Sequence, residues 1–352
     1  MSWTFDRILR GARKFKASDV HLLVGMAPAI RVGGHISILE GAPLTHECLV
    51  GMLDHLLNDE QQKMLREDWQ ICFSRNWPEV GRFRASVYRN AETPEFAIRI
   101  CETTVRQRDE LGLPEKVDEL ARLTTGLILI TGPTGVGKTT TLNYIIDLIN
   151  QDRRAKIITI EDPIEYVHER RRSIIVQQEV GTDVKSFRKA LLHALRQDPD
   201  VIVVGEMRDL ETMETTLTAA ETGHLVLATL HTPDAVQTIQ RIYSVFPADQ
   251  QNHIVTQLSN SLQAILVQRL LPQASGKGRV LATELCLATP AVRSHIREKE
   301  AHLLFNELQT GRRFGRHTMD HSLLDLYQRG EITYDTAVSC AREPESIRQR
   351  SA

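Results

Sequence analysis

The sequence predicts an α/β chain of two domains: a small mixed α+β domain, then a larger one built on a mostly parallel sheet flanked by helices. Three observations lead to this. From about residue 117, apolar runs alternate with stretches of helical spacing, as strands and their crossover helices do. Residues 101–116 are polar and charged and are broken by Gly112 and Pro114, so they read as a linker. Finally, the apolar run Leu127-Ile128-Leu129-Ile130 leads into Gly132-Pro133-Thr134-Gly135-Val136-Gly137-Lys138-Thr139, and Thr140 opens a stretch with helical spacing. The expected boundaries are residues 1–100, a linker over 101–116, and 117–352 with a helical C-terminal part.

A length of 352 residues suffices for two domains with proper cores. Lys plus Arg number 43 against 45 Asp plus Glu, a balance that gives no reason to expect nucleic acid as the main partner. The first residues, Met1-Ser2-Trp3-Thr4-Phe5-Asp6-Arg7, are charged from the outset and lack the apolar core of a secretion signal. No run reaches the roughly 18 apolar residues of a membrane span, so the expectation is a soluble, cytoplasmic protein. Cys48, Cys72, Cys101, Cys286 and Cys340 are scattered and never spaced as Cys-x-x-Cys, which suggests reduced thiols rather than a disulfide frame or a zinc site.

Along the first domain, Phe5, Ile8, Leu9 and Ala12 share one helical face. Strands follow at residues 20–24 and 30–32, with a turn at Gly33-Gly34. Thr45 is placed to cap a helix over 46–66, and two more strands cover 82–88 and 96–100. In the second domain the strand candidates after the first are 157–160, 201–204 and 225–229. Ligands of such sheets bind beyond the carboxyl ends of the strands, so the polar residues there are the ones to weigh.

The strand, glycine loop and helix come in the order that phosphate binding requires. Glycines at 132, 135 and 137 let the backbone turn tightly and aim its N–H groups at a polyphosphate. Lys138 can then reach the outer phosphates and the Thr139 hydroxyl can bind Mg²⁺, which makes residues 132–140 the expected nucleoside triphosphate site. Strand 157–160 ends in Glu161-Asp162-Pro163, where Glu161 could orient and deprotonate a water. Strand 201–204 ends in Gly205-Glu206, and because glycine stands where many such sites have aspartate, the metal role falls to Glu206. Strand 225–229 leads to His231, where an imidazole could sense the γ-phosphate. His224, before that strand, is open to a structural or a functional reading.

Together these residues resemble the secretion-ATPase superfamily, the motors of type II and type IV secretion and of type IV pili, and within it the twitching-motility, or pilus-retraction, branch. Residues 132–139 match its Walker A loop, 158–169 its Asp box, 200–208 its atypical Walker B, and 219–224 with His231-Thr232 its His box. The resemblance implies a RecA-like P-loop NTPase domain preceded by a small PAS-like domain, and ATP with Mg²⁺ as the bound species. It implies arginine fingers at Arg84 and Arg99, where the plain reading of each is a strand's solvent face. It also implies a homohexamer, an inner-membrane pilus platform protein as partner, a paralogous pilus ATPase, and peripheral association with the membrane machinery. The extension and type II relatives carry a tetracysteine insert and a long N-terminal extension that this sequence lacks. The retraction signature appears as Ala291-Val292-Arg293-Ser294-His295-Ile296-Arg297-Glu298, in which Val292, Ser294 and His295 depart from the family pattern. Hydrolysis driving pilus retraction is the expected function, with a type IV secretion motor or an accessory nucleotide-binding subunit as alternatives. The last dozen residues are polar and expected to fray.

Overall fold

A computed structural model describes residues 3–101 and 104–351. They form two compact units. The first takes the described residues through Thr104 together with Pro163–Val167, and the second takes Val105–Asp162 and the chain from His168 onward.

The first unit is an antiparallel sheet of six strands, β1 (Asp19–Leu22), β2 (Ala29–Val32), β3 (His35–Ile38), β4 (Gln70–Trp77), β5 (Gly81–Asn90) and β6 (Thr93–Ile100), in the order β3-β2-β1-β6-β5-β4. The helix Phe5–Lys14 covers it, and its Phe5, Ile8, Leu9 and Ala12 are buried as their spacing predicts. Phe5 packs edge-on against Trp77 at 5.2 Å and at a tilt against Phe83 at 5.5 Å, binding the helix to β4 and β5. Thr45 is an N-cap, accepting from Cys48 N–H at 3.2 Å. The single helix expected over 46–66 is instead two, His46–Leu56 and Asp59–Asp68. The break has a local cause: Asn58 and Gln61 form a reciprocal capping box, which stabilises a fresh helix start.

The second unit holds β7 (Gly126–Thr131), β8 (Lys156–Glu161), β9 (Ile174–Glu179), β10 (Val201–Val204), β11 (Leu225–Leu230), β12 (Leu262–Pro272) and β13 (Arg279–Leu287), in the order β13-β12-β7-β11-β10-β8-β9. Every pairing is parallel except β12 with β13. Parallel strands buried on both faces read as continuous apolar runs, which residues 127–130 of β7 and all of β10 supply. Alternation then divides β7 between two cores: Leu127 and Leu129 join one, Ile128 and Ile130 the other. From Val105 the expected linker folds with this unit, and Leu113 is buried in the second of those cores.

The C-terminus differs from expectation. Residues Pro344–Ser351 form a helix with Ile347 buried, and Asp320 accepts from the N–H groups of Arg342 at 2.7 Å and Glu343 at 2.8 Å just before it. One buried isoleucine and a buried carboxylate hold a segment whose composition alone predicts fraying. The five cysteines form no disulfide, and among the described residues no helix is long and apolar enough to cross a membrane.

Candidate active site

Strand order brings the loops after β7, β11, β10 and β8 side by side, and register sets them level. Thr131 pairs with Leu230, and Val204 pairs with both Ala228 and Ile160. Hence the chain leaves the sheet for Gly132, His231, Gly205 and Asp162 along one edge.

The glycine loop runs from β7 into the helix Lys138–Asp152, whose N-cap Gly137 is left-handed at φ 92° and offers no side chain to the first-turn N–H groups. That turn also contains no acid, so its amides and the positive end of the helix dipole face an anion without competition from the chain. Gly132, at φ 136°, could carry no side chain: a Cβ there would collide with the backbone oxygen of Gln268 on β12. Pro133, Thr134, Gly135 and Thr140 are exposed, Thr139 is half-buried, and Val136 is buried beneath the loop.

Lys138 is buried and bends back over the loop, its Nζ donating to the carbonyls of Gly132 at 2.7 Å and Pro133 at 2.9 Å. Burial lowers the pKa of this ammonium, and the charge of Glu206 opposes the shift. The same Nζ lies 3.2 Å from His231 Nδ1, and Thr134 Oγ1 lies 3.4 Å from that nitrogen. An ammonium only donates, so Nδ1 accepts and the ring proton belongs on Nε2, which is 2.9 Å from Glu206 Oε1. Glu206 in turn takes Arg208 at 2.8 Å. Burial pushes its carboxyl up, but the Arg208 hydrogen bond and His231 outweigh it, and the net pKa lies below the ordinary value. Lys138, His231, Glu206 and Arg208 thus form one continuous polar chain along the sheet edge.

Gly205 has a structural reason for not being aspartate. Its N–H donates to Ile160 O at 2.8 Å, and a Cβ would sit 3.0 Å from that oxygen and 3.3 Å from Glu161 Cα. A side chain here would crowd the β8 backbone, and the Thr229 hydroxyl, donating to Gly205 O, fixes the next residue in place. Glu161, at the end of β8, is buried and accepts from Thr159 Oγ1 at 2.6 Å and Gln177 Nε2 at 3.0 Å.

Sequence reasoning missed two contributors. Arg208 sits two residues past Glu206 and holds its carboxylate. Gln268 is a polar residue inside the apolar β12; it donates to Thr141 Oγ1 at 2.7 Å, and its own carbonyl bounds the loop at Gly132. A glutamine in such a run was the available signal. His224 precedes β11, at the opposite end from His231, with Nδ1 3.0 Å from Ala219 O and 3.2 Å from Thr222 Oγ1, contacts that fit the structural reading. It ties down a helix end.

Arg84 and Arg99 belong to the first unit. Arg99 on β6 is 65% exposed and pairs with Asp19 at 3.1 Å; Arg84 on β5 stands directly opposite Arg99, and Arg31 on β2 opposite Asp19. Three arginines and one aspartate therefore cross four neighbouring strands in a row. Arg31 and Arg99 both pair with Asp19, which supports the sheet; Arg84 opposite Arg99 is the one like-charge pair of the row, and a sheet does not reward it. In the helix Pro290–Arg297, Val292 and Ile296 are buried, whereas His295 lies within 3.8 Å of Glu300 and 4.0 Å of Glu307, acids that accommodate its imidazole.

A phosphate-binding loop on a parallel sheet, with a carboxylate–imidazole pair on its lysine, defines a nucleoside triphosphatase. Residues 80–330 match the family model for type II/IV secretion system proteins; the chain belongs to that family and is an ATPase. It is 41% identical over 340 residues to the type IV pilus retractation ATPase PilT of Pseudomonas aeruginosa, covering 97% of this chain and 98% of that one. To the type IV pilus ATPase PilU of the same organism it is 38% identical over 344 residues, covering 98% and 90%. A crystal structure of the pilus retraction motor PilT with bound ADP superposes with a TM-score of 0.91 at 44% identity, covering 99% of this chain and 100% of that one.

Proposed function

We propose that this ATPase is a ring-forming motor, a homohexamer, that drives type IV pilus retraction from the cytoplasmic face of the inner membrane through a pilus platform protein. The similarity to PilT over nearly the whole chain carries the motor reading, and the polar chain from Lys138 through His231 to Glu206 supports hydrolysis, joining the residue that would grip the terminal phosphate to the carboxylate that would read its loss. Residues 132–140 would hold the ATP phosphates through main-chain amides. The donors fit Mg²⁺: the Thr139 hydroxyl and the Glu206 carboxylate are hard oxygen ligands, few enough to leave the remaining positions to phosphate and water. When bound, the ion would neutralise charge on the phosphate oxygens. Glu161 would orient and deprotonate the attacking water, and neutral His231 would donate through Nε2 to Glu206 while Nδ1 registers the position of Lys138. The row of Arg31, Arg84 and Arg99, with Asp19 as its one acid, supports Arg84 and Arg99 as cations supplied to the transferring phosphoryl group in the assembled ring.

The test is deletion of the gene, complemented with the parent or with Glu206→Gln. Hyperpiliated, non-twitching cells rescued by the parent alone are the expected result, and bald cells would assign the motor to assembly. A second reading draws on the similarity to PilU: an accessory subunit that joins rings with a paralogue. Turnover by the purified chain alone separates the two.

A further inference from the structure

Glu284 on β13 is a buried carboxylate outside the polar chain at the sheet edge. Its Oε1 accepts from Ala235 N–H at 2.8 Å and its Oε2 from Met319 N–H at 3.3 Å. These are the first residues of two helices, Ala235–Ser244 and Met319–Gln328. Each helix already has its own N-cap: Asp234 takes Gln237 N–H at 2.7 Å, and Thr318 takes His321 N–H at 3.3 Å. Glu284 is therefore an additional acceptor, reaching two helix N-termini with one carboxylate. Its position relative to the nucleotide site gives it significance. Ala235 follows His231 by four residues, and the chain before His231 is fixed by Met207 N–H donating to Thr229 O at 3.0 Å. Thr232 and Thr238, hydroxyl to hydroxyl at 2.6 Å, close the intervening turn. The loop that carries His231 thus has two anchors, β11 and the Glu284 carboxylate. On the other side, Asp320, next to Met319, holds the N–H groups of Arg342 and Glu343 at 2.7 and 2.8 Å.

We propose that Glu284 is a positioning residue for hydrolysis: by binding the first N–H of both helices it holds the His231 loop in register with the C-terminal helices, so that each senses displacement of the other. A carboxylate suits the task because it can accept at two oxygens simultaneously, whereas an amide presents one acceptor and one donor, and the donor would face an N–H. Burial, joined by the charge of Asp234, raises the Glu284 pKa to about 7 against the pull of the two backbone N–H groups and Arg342, so the dual anchor is complete on the alkaline side of neutrality.

The proposal rests on the reading of His231 as part of the site, and the experiment separates the two. Steady-state ATPase is measured for the full chain, His231→Ala, Glu284→Gln and the double variant. We expect Glu284→Gln to lower kcat about tenfold with KM for MgATP within twofold, and to add less than twofold to the effect of His231→Ala. If His231→Ala is as fast as the parent, the site reading fails; if it is slow while Glu284→Gln is normal, or the two effects multiply, the positioning role fails alone. Glu284→Asp keeps the charge but reaches one N–H; it enters the same cycle should the amide variant not fold, with the same criteria.

Discussion

The two edges of the seven-stranded sheet use polar residues in opposite ways. At the amino edge, side chains are spent on backbone: Asp200 takes Lys156 N–H at 2.7 Å, and His224 lies against Ala219 O at 3.0 Å. At the carboxyl edge they meet one another, from Lys138 through His231 and Glu206 to Arg208. The same two residue types, acid and imidazole, stand at both edges. The difference teaches that residue identity is a weaker guide to chemistry than which end of a parallel strand it occupies, because only at the carboxyl end do the loops converge.

The comparison breaks most severely at Lys138. Lys138→Ala removes the buried cation of the carboxyl edge, and phosphate release by the purified variant should drop at least ~10³-fold, the scale of losing a preorganised charge. Substituting the two histidines sharpens it. His231→Ala should cost about 10- to 100-fold in kcat, a general electrostatic and positioning effect, with MgATP affinity little changed. His224→Ala should leave kcat within about twofold and lower stability by about 1 kcal/mol, the worth of one hydrogen bond. Equal effects from both would remove the distinction between the edges.

A separate effect, on stability rather than turnover, comes from acid. His168, buried with Nε2 3.1 Å from Asn143 Oδ1 on the phosphate-loop helix, is held at about 4 by burial and by Arg171. Its folded value lies below the unfolded one near 6.5, so its contribution is complete above pH 6.5 and is lost as pH falls toward 4, in total about 3 kcal/mol. His317, brought down to about 4 chiefly by burial, adds a loss of the same sign in the same unit. Urea midpoints at pH 7.5 and 4.5 should show the decline, and His168→Gln, which retains an amide donor toward Asn143, should lessen it.

The fold of the ATPase unit and the placing of its candidate residues at one sheet edge are legible because their signals are local. A strand, a glycine loop and a helix are contiguous, and the acids and His231 follow directly on apolar runs that form β8, β10 and β11. What could not be read depends on strangers in the chain. β12 passes its Gln268 carbonyl against Gly132 from well over a hundred residues away, and no spacing announces it. Leu56 and Leu57 carry the apolar period up to residue 57, which predicts one helix over 46–66, whereas the Asn58–Gln61 capping box is the competing signal that starts a second. Composition predicts fraying for the C-terminal helix, whose stability comes instead from Ile347 and the distant Asp320.

The five residues Pro163–Val167 interrupt the second unit yet belong to the first, where Cys101 Sγ lies 3.5 Å from Ile164 O. During synthesis the amino-terminal unit is therefore short of a component until the ribosome has moved nearly sixty residues beyond it, and by then β7, the glycine loop and β8 have already been made. A polypeptide stopped at the linker would lack that component, so neither half of this ATPase could be exchanged between relatives as a simple end-to-end cassette.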